Sequence, residues 1–386
     1  MRTVCIVGVG MSQWGEVWKQ SLRDIHTDAA LKAIKNSGVD HIDSMYVGCM
    51  SGGMFVGQEH LASLLTDYMG MRGLPATRVE SACASGGLAV RSAYIEVASG
   101  ISDIVMASGV EKMTDVDGDE ATYALAAAAD QEFEVFHGAT FPGLYAMMAH
   151  VHIAKYGTTR EMLSAISVKN HNNGSMNPVA QYPFKVTMDQ VANSVMVADP
   201  LHILDCSPIT DGAAAAILCT EEIAKSLGKP YVKIIGTSVG TDTIQLAQRA
   251  DLTTIKAATI AANGAFKMAG KTINDIEFCE VHDCFTIAEL MVLESIGKYK
   301  PGKAGEAILA GETALDGAFP VNTSGGLKSK GHPVGATGVA QVIEVYKQLT
   351  GQAEGDRQLK SSPKIGMTQN MGGSGGSSVV HIMEVA

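Results

Sequence analysis

AIKNSGVDHIDSMYVG, residues 33–48, aligns without a gap with AFKMAGKTINDIEFCE, residues 265–280. Both segments have the pattern of a helix end, a glycine turn and an apolar strand. Four of the sixteen positions are identical: Ala33 and Ala265, Lys35 and Lys267, Gly38 and Gly270, and Asp43 and Asp275. A unit that recurs in two distant parts of a chain indicates internal duplication. We therefore predict two copies of one α/β unit that face each other.

The chain around the first segment alternates between strand and helix patterns. TVCIVGVG at 3–10 is typical of a buried strand, residues 21–37 have helical spacing, and DSMYVGC at 43–49 returns to strand. A helix of small residues at 84–99 and a strand at 102–109 follow. Alternation of this kind predicts a sheet whose helices cover its faces.

A region of different character interrupts the duplication. It contains the alanine-rich stretch 121–129 and long helical patterns, after which strand and helix patterns resume. We predict an N-terminal half at 1–112 plus 203–228, an inserted region at 113–202, and a C-terminal half at 229–386.

The composition excludes several classes of protein. Of 386 residues, 46% are hydrophobic, which suits a compact globule. The 40 Asp and Glu outnumber the 29 Lys and Arg, so the net charge of −11 opposes binding to nucleic acid or an anionic membrane. No stretch approaches the ~20 apolar residues of a membrane-spanning helix, and Met1–Gly10 lacks a signal-peptide pattern. We expect a cytoplasmic protein, with no disulfide framework among its seven cysteines.

One charged stretch stands out in the inserted region. It holds seven acidic residues and no Lys or Arg: Asp115, Asp117, Asp119, Glu120, Asp130, Glu132 and Glu134. A solvated acidic face and a docking surface for a basic partner both fit this pattern.

Cys83 is the first candidate catalytic residue. It lies in ESACASGG, residues 80–87, where a short strand ends and a helix begins. The partial positive charge of a helix N-terminus favours a thiolate, and Gly86 and Gly87 allow close approach by a substrate or by neighbouring backbone. A packed core cysteine is the alternative.

His332 is the second candidate. It lies in SGGLKSKGHPVGATG, residues 324–338, just before a helix that begins near Ala336. So many glycines are conformationally expensive, and they are tolerated where backbone passes close to a ligand. An imidazole there can accept a thiol proton or donate to an oxyanion. The alternative is a phosphate-cradling loop with an incidental histidine.

His282 and Cys284 follow an apolar strand predicted at 276–281. Ligand sites of open α/β sheets lie at the carboxyl ends of strands. If the strand continued, residues two apart would share one face and reach one substrate. A buried structural pair is the alternative.

Three further motifs carry weaker signals. The glycines and serines of 372–378 could form an oxyanion pocket from backbone amides, but they lack the Lys and helix of a nucleotide-phosphate loop. GVGMSQWG at 8–15 has too few glycines at the right offsets for a strong dinucleotide signal. His150 and His152 have no Cys or carboxylate at metal spacing, so we predict that they pack and that the protein holds no metal.

Taken together, these motifs resemble those of the thiolase family. Cys83, HDCF at 282–285, GHPVGATG at 331–338 and the glycine-rich 370–376 occur in the thiolase order, and the resemblance extends over nearly the whole chain. HDCF, in place of Asn-Glu-Ala-Phe, indicates the archaeal and sterol-carrier-protein-type branch. The resemblance implies the thiolase fold, with two βαβαβαββ halves in five αβαβα layers, an inserted loop domain, and a homodimer or homotetramer.

The resemblance also implies a reaction and a role for each residue. Cys83 would take an acetyl group from acetyl-CoA and pass its proton to His332. Cys284 would remove an α-proton from a second acetyl-CoA, and the resulting enolate, stabilised by His332 and His282, would form acetoacetyl-CoA. Amides of Cys83 and Gly372 would bind the oxyanion. Coenzyme A thioesters are substrates, and no permanent cofactor is implied.

Two departures from the family pattern bear on these roles. Asn370 stands where most biosynthetic thiolases carry their acid/base cysteine, so Cys284 would take that role. The loop-domain stretch 113–154 has no Lys or Arg for the CoA phosphates, and the nearest basic residues are Lys155, Arg160, Lys169 and Lys185. Archaeal relatives work with 3-hydroxy-3-methylglutaryl-CoA synthase and a small OB-fold zinc-ribbon protein, so a partner could complete the site.

The resemblance therefore predicts an acetyl-CoA C-acetyltransferase that feeds the mevalonate pathway of isoprenoid synthesis. A degradative 3-oxoacyl-CoA thiolase for longer chains is an alternative. A non-catalytic acyl-CoA or lipid-binding scaffold is a second.

Overall fold

A nine-stranded sheet dominates the computed structural model, which describes residues 1–386. The strands of the chain are β1 Val4–Met11, β2 Ser44–Gly48, β3 Ala76–Val79, β4 Ile104–Glu111, β5 Met196–Ala198, β6 Leu201–His202, β7 Gly212–Thr220, β8 Val232–Thr241, β9 Phe278–Glu280, β10 Ile365–Gly372 and β11 Ser377–Val385. Their order in the large sheet is β3-β2-β4-β7-β1-β8-β11-β10-β9, and β5 pairs with β6 separately.

Thirteen α-helices surround this sheet. They are α1 Leu22–Ser37, α2 Gly52–Val56, α3 Leu61–Tyr68, α4 Ser85–Ser99, α5 Gly118–Ala126, α6 Phe141–Tyr156, α7 Arg160–Gly174, α8 Met188–Ala192, α9 Glu221–Ser226, α10 Lys256–Ala269, α11 Thr286–Ser295, α12 Ala304–Leu309 and α13 Thr337–Thr350. None of them combines the length and the apolar character needed to cross a membrane.

The strand order confirms the predicted duplication. Reading outward from the centre, the first half runs β1-β7-β4-β2-β3 and the second runs β8-β11-β10-β9. Val321 completes the second series, because it bridges Cys279 of β9 in parallel, as β3 pairs with β2. The halves join where Cys5 and Ile6 of β1 pair with β8.

The packing produces the five layers. Helices α1 and α3 cover the outer face of the first half-sheet, and α10 covers that of the second. Helices α4 and α13 contact each other and strands of both halves, so they form the central layer. Their apolar faces share one core with both half-sheets, including Val90, Val97, Val339 and Val342.

The repeated segments adopt the same local structure. Gly38 and Gly270 end α1 and α10 in the left-handed region, with φ of 76° and 64°. A side chain is strained in that conformation, which explains the shared glycine. The segment 113–202 contributes no strand to the large sheet. The exact domain boundaries stay a prediction.

Glycines allow the two central helices to start almost in contact. A Cβ on Gly338 would lie 2.1 Å from the amide nitrogen of Gly87, and one on Gly86 would lie 2.7 Å from the carbonyl oxygen of Gly335. Approach by neighbouring backbone, one of the two uses expected of the glycines beside Cys83, is thus confirmed at Gly86. Gly335 and Gly338 pack in the same way, and ligand approach to these glycines stays a prediction.

Gly338→Ala is therefore expected to destabilise the fold by about 2 kcal/mol or more, since overpacked cores cost about 1–3 kcal/mol. The matched control is Gly118→Ala, whose Cβ would meet no heavy atom within 4 Å. Urea unfolding of both variants measures the difference. Equal midpoints for Gly338→Ala and wild type would contradict the close packing.

Candidate active site

Cys83 lies in a tight turn between β3 and α4. Ala82 has a φ of 49°, a conformation that costs free energy for a residue with a side chain. Ser85 holds the turn, because its hydroxyl donates to the Ala82 carbonyl at 2.6 Å and accepts the Ser81 amide at 2.9 Å. The turn brings Cys83, only 8% exposed, to the start of α4 as predicted.

His332 is oriented by two threonines. Its backbone amide donates to the Thr210 hydroxyl at 2.9 Å, and its Nδ1 lies 2.7 Å from the Thr337 hydroxyl. Because that hydroxyl donates its own proton to the Pro333 carbonyl at 3.0 Å, it accepts from Nδ1–H. The neutral ring therefore carries a lone pair on Nε2, which can accept a proton.

His282 completes a compact cluster with Cys83 and His332. One sulfur or nitrogen atom of each residue lies within 4.8 Å of the corresponding atoms of the others. The two rings meet edge to face, with centroids 4.9 Å apart. The His282 backbone amide donates to Gln369 Oε1 at 3.1 Å. The structure thus brings together a thiol and two imidazoles from three distant segments.

The HDCF segment is not a strand. Strand β9 ends at Glu280, so the expectation that His282 and Cys284 share a strand face is wrong. Buried bonds hold the segment instead: Lys328 Nζ donates to the Asp283 carbonyl at 2.5 Å, and the Leu327 amide donates to Asp283 Oδ1 at 2.8 Å. These bonds fix the backbone next to Cys284, so the position of Cys284 does not depend on strand geometry.

Burial controls the protonation of the site. It raises the pKa of the Cys83 thiol far above its ordinary value, the nearby Cys284 raises it further, and amide hydrogen bonds from Gly373 and Cys83 itself lower it only in part. Burial thus outweighs the lowering of the Cys83 pKa that was expected from the helix N-terminus. Burial also raises the pKa of Cys284 to about 12.

The imidazoles are neutral for the same reason. Burial, followed by the charges of Lys328 and Lys330, lowers the pKa of His332 to about 3. Burial and the His332 charge hold the pKa of His282 well below its ordinary value. At neutral pH the resting site thus consists of thiols and uncharged rings.

The glycine-rich turn lies against Cys83. The amide of Gly373 acts to lower the pKa of the Cys83 thiol, while Gly372 is the last residue of β10, one position earlier. The role of the Gly372 amide stays a prediction. Arg249 holds the turn, because its Nη1 donates to the Ser374 carbonyl at 2.7 Å.

Tyr145 of the inserted region is a site residue that sequence reasoning missed. Its hydroxyl donates to the Gly373 carbonyl at 3.0 Å and contacts the Cys284 thiol, lowering the pKa of that thiol. Its ring stacks on Phe285 with centroids 4.5 Å apart. The local sequence carries no signal for this contact beyond a helical pattern, because both partners come from distant segments.

The other two weaker sequence candidates, the histidine pair and the N-terminal glycines, lie outside the cluster. His152 packs as predicted, with Nδ1 2.7 Å from the Thr158 hydroxyl and Nε2 3.2 Å from Glu294. His150 is exposed, so the prediction that it packs is wrong. Gly8 and Gly10 lie inside β1, where a Cβ would strike α1, and they form no nucleotide loop.

The acidic stretch 115–134 is mainly a solvent-exposed face. Glu134 is its one buried carboxylate, and Glu134 Oε1 accepts the Leu246 amide at 2.8 Å. The remaining six carboxylates reach the surface.

A duplicated, five-layered α/β fold with a buried thiol beside a neutral imidazole is the arrangement expected of an enzyme that uses a cysteine nucleophile. Residues 4–222 match the model of the thiolase N-terminal domain, and residues 238–385 match that of the thiolase C-terminal domain-like family. The chain belongs to the thiolase family of acyltransferases. The predicted fold and family are thus confirmed.

Individual relatives agree with this assignment. An acetyl-CoA acetyltransferase of Methanothermobacter thermautotrophicus is 53% identical over 384 residues, with 99% of each chain covered. One of Methanocaldococcus jannaschii is 50% identical over 390 residues, again with 99% of each covered. These archaeal relatives confirm the predicted branch. A solved structure described as the Ltp2-ChsH2(DUF35) aldolase superposes with a TM-score of 0.84 at 23% identity, covering 99% of this chain and 97% of that one.

Proposed function

We propose that this thiolase is an acetyl-CoA C-acetyltransferase that condenses two molecules of acetyl-CoA into acetoacetyl-CoA and CoA. The observation that carries the proposal is the buried cluster of Cys83, His282 and His332 within 4.8 Å, with Cys284 close enough for its charge to act on Cys83. The 53% identity to an archaeal acetyl-CoA acetyltransferase supports the choice of substrate.

The first half-reaction transfers an acetyl group to Cys83. The Cys83 sulfur attacks the thioester carbonyl while its proton moves to Nε2 of His332, so Cys83 does not have to form a free thiolate. The C–S bond to CoA then breaks. The departing CoA thiolate takes the proton of Cys284, which leaves acetyl-Cys83, a Cys284 thiolate and a protonated His332.

The second half-reaction forms the carbon–carbon bond. The Cys284 thiolate removes an α-proton from a second acetyl-CoA, and the resulting carbanion attacks the acetyl carbon on Cys83. The bond from this carbon to the Cys83 sulfur breaks, and that sulfur recovers its proton from His332. Acetoacetyl-CoA leaves, and all three side chains return to their resting forms.

The raised pKa of both thiols is consistent with this sequence. The negative charge lies in turn on the tetrahedral oxyanion, the Cys284 thiolate and the enolate, and protonated His332 balances it each time, so the pocket never holds an isolated charge. The enolate and tetrahedral oxyanions are met by the imidazoles and by backbone amides near Cys83. Loss of one such donor typically costs about 10²-fold to 10³-fold in rate.

A partner protein is part of the proposal. Of the basic residues nearest the loop-domain stretch, three are engaged by carboxylates: Lys155 by Asp251, Arg160 by Asp205 and Lys169 by Glu289. They are poorly placed to hold CoA phosphates as well. The description of the aldolase relative names a second protein, ChsH2, beside Ltp2. We propose that a small OB-fold zinc-ribbon protein, with 3-hydroxy-3-methylglutaryl-CoA synthase, completes the CoA site.

The proposed setting follows from the reaction. Cleavage of acetoacetyl-CoA is favoured thermodynamically, so a coupled synthase that consumes the product would set the direction toward the mevalonate pathway. We propose that the enzyme works in the cytoplasm as a homodimer or homotetramer.

The test is incubation of the protein with acetyl-CoA alone, followed by intact-mass analysis and assay of acetoacetyl-CoA. We expect one acetyl group per chain and slow formation of acetoacetyl-CoA. When CoA and acetoacetyl-CoA are supplied instead, we expect the reverse reaction, thiolysis to acetyl-CoA. Thiolysis of a long-chain 3-oxoacyl-CoA serves as the control. An unmodified chain would indicate a scaffold, and preference for the long chain a degradative thiolase; either result would overturn the proposal.

A further inference from the structure

Asn370 takes the place of the expected cysteine, and its side-chain amide is fully hydrogen-bonded inside the site. Oδ1 accepts the backbone amide of Gly87 at 3.1 Å. Nδ2 donates to the Cys83 carbonyl at 3.0 Å and lies 3.2 Å from Nδ1 of His282. One buried side chain thus joins the start of α4, the nucleophile and the second imidazole.

The neighbours determine which way this amide points. The Gly87 amide is a donor and needs the oxygen, whereas the Cys83 carbonyl is an acceptor and needs the nitrogen. The two contacts give the same orientation independently. The –NH₂ group therefore faces His282, and its second hydrogen points to Nδ1.

We infer that Asn370 is a positioning residue that holds His282 as the neutral tautomer protonated on Nε2. Since the Asn370 amide can only donate to Nδ1, Nδ1 must carry the lone pair, and in a neutral ring the proton is then on Nε2. Nε2 is buried and has no hydrogen-bond partner in the protein. An unused buried donor beside Cys83 and His332 is placed for a ligand oxygen.

The two imidazoles therefore have opposite tautomers and opposite roles. Thr337 leaves His332 with a lone pair on Nε2 to accept a proton, while Asn370 leaves His282 with an Nε2–H to donate. This division rests on the proposed function, in which the donor would meet the thioester oxygen of the enolate. This division of roles also gives Asn370 a function at a position where most biosynthetic thiolases carry the acid/base cysteine. That cysteine is not required here, because Cys284 takes its role in the proposed mechanism.

The same bond opposes metal binding by the cluster. A Cys and two His at this spacing are a plausible ligand set for zinc. To ligate through Nε2, however, His282 would have to carry its proton on Nδ1, where it would face the Asn370 –NH₂ group. Asn370 thereby keeps the cluster available for acyl chemistry.

The first test measures the tautomer directly in the wild-type protein. Long-range ¹H–¹⁵N spectra of ¹⁵N-histidine-labelled protein at pH 7 distinguish the protonated ring nitrogen, and the signal lost in His282→Asn assigns residue 282. We expect protonated Nε2 and bare Nδ1. A ring protonated on Nδ1, or on both nitrogens, would overturn the inference whether or not the protein condenses acetyl-CoA.

The second test compares two nearly isosteric substitutions. In Asn370→Asp the carboxylate would accept from Nδ1–H and move the proton off Nε2, so we expect condensation to fall at least ~10²-fold, the typical loss for one oxyanion donor. Asn370→Ala should lose less, about 10-fold, because the ring keeps access to both tautomers. The acetyl-Cys83 adduct should still form in both variants.

Asn177→Asp is the matched control. Asn177 is also buried, and its amide donates to the Ser324 carbonyl at 2.8 Å while its oxygen accepts the Val179 amide at 3.2 Å, but it contacts neither imidazole. We expect its condensation rate to stay within about 3-fold of wild type. If Asn370→Asp lost no more activity than Asn370→Ala, or kept the wild-type tautomer, Asn370 would be merely structural. If the wild-type protein did not condense acetyl-CoA, the proposed function would be wrong, but the tautomer assignment would still be decided by the spectra.

Discussion

Replacing Cys83 by alanine is expected to abolish both covalent acetylation and turnover, with activity at least ~10⁴-fold below wild type. Both half-reactions of the proposed mechanism require the Cys83 sulfur, which carries the acetyl group, whereas Cys284 serves only as an acid and a base. The variant should fold, because the side chain is small and lies at a turn held by Ser85. Intact-mass analysis after incubation with acetyl-CoA shows directly whether the adduct forms.

Cys219→Ala serves as the control for loss of a buried thiol. Cys219 is fully buried in β7 and packs in the outer core of the first half. The Cys219→Ala variant should acquire the acetyl group on Cys83 at the wild-type rate. An adduct of equal yield in Cys83→Ala would show that the nucleophile is another residue, and the assignment of Cys83 would have to be abandoned.

Replacing Cys284 by alanine is expected to separate the two half-reactions. Acetyl-Cys83 should still form, though more slowly, because the CoA thiolate must leave without the proton of Cys284. Condensation should fall by about 10³-fold or more, because no base remains to remove the α-proton. Incubation of the variant with acetyl-CoA in D₂O should leave the methyl protons unexchanged. Mass spectrometry of the protein and of the recovered acetyl-CoA provides both measurements.

Cys206→Ala is the control for a neighbouring thiol. Burial raises the pKa of Cys206 to about 12, as it does for Cys284, but the Cys206 thiol donates to the His202 carbonyl at 3.4 Å. This variant should keep both acetylation and condensation. Condensation that survives in Cys284→Ala would refute the assigned base and shift attention to Tyr145, which contacts the same sulfur.

Much of the architecture could be predicted because duplication leaves a local record. Gly38 and Gly270 both end helices in a left-handed conformation, and that requirement is visible in the sequence. Strand β9 shows the limit of such reasoning. It stops at Glu280, because the following residues bond to Asn322, Gln369 and the π-helical segment 326–330 instead of to a strand.

The site residues divide in the same way. Cys83, His282, Cys284 and His332 each stand in a motif whose residue types suggest chemistry, so they could be named from the sequence. Tyr145 and Arg249 could not, because each lies in an ordinary segment and reaches the site only through folding. The net direction of the Cys83 pKa could not be predicted either, since a helix N-terminus is visible in sequence and desolvation is not.

The amino-acid sequence by itself determined the duplicated α/β plan, the choice of candidate reactive side chains and the asparagine at position 370. These features depend on periodicity and on the conformational limits of single residues, which are local properties. The tertiary structure alone decided that the thiols and rings rest uncharged, and that the amide of Asn370 faces His282. Protonation and hydrogen-bond direction depend on which groups exclude water and which donors meet which acceptors, and those neighbours come from segments far apart in the chain.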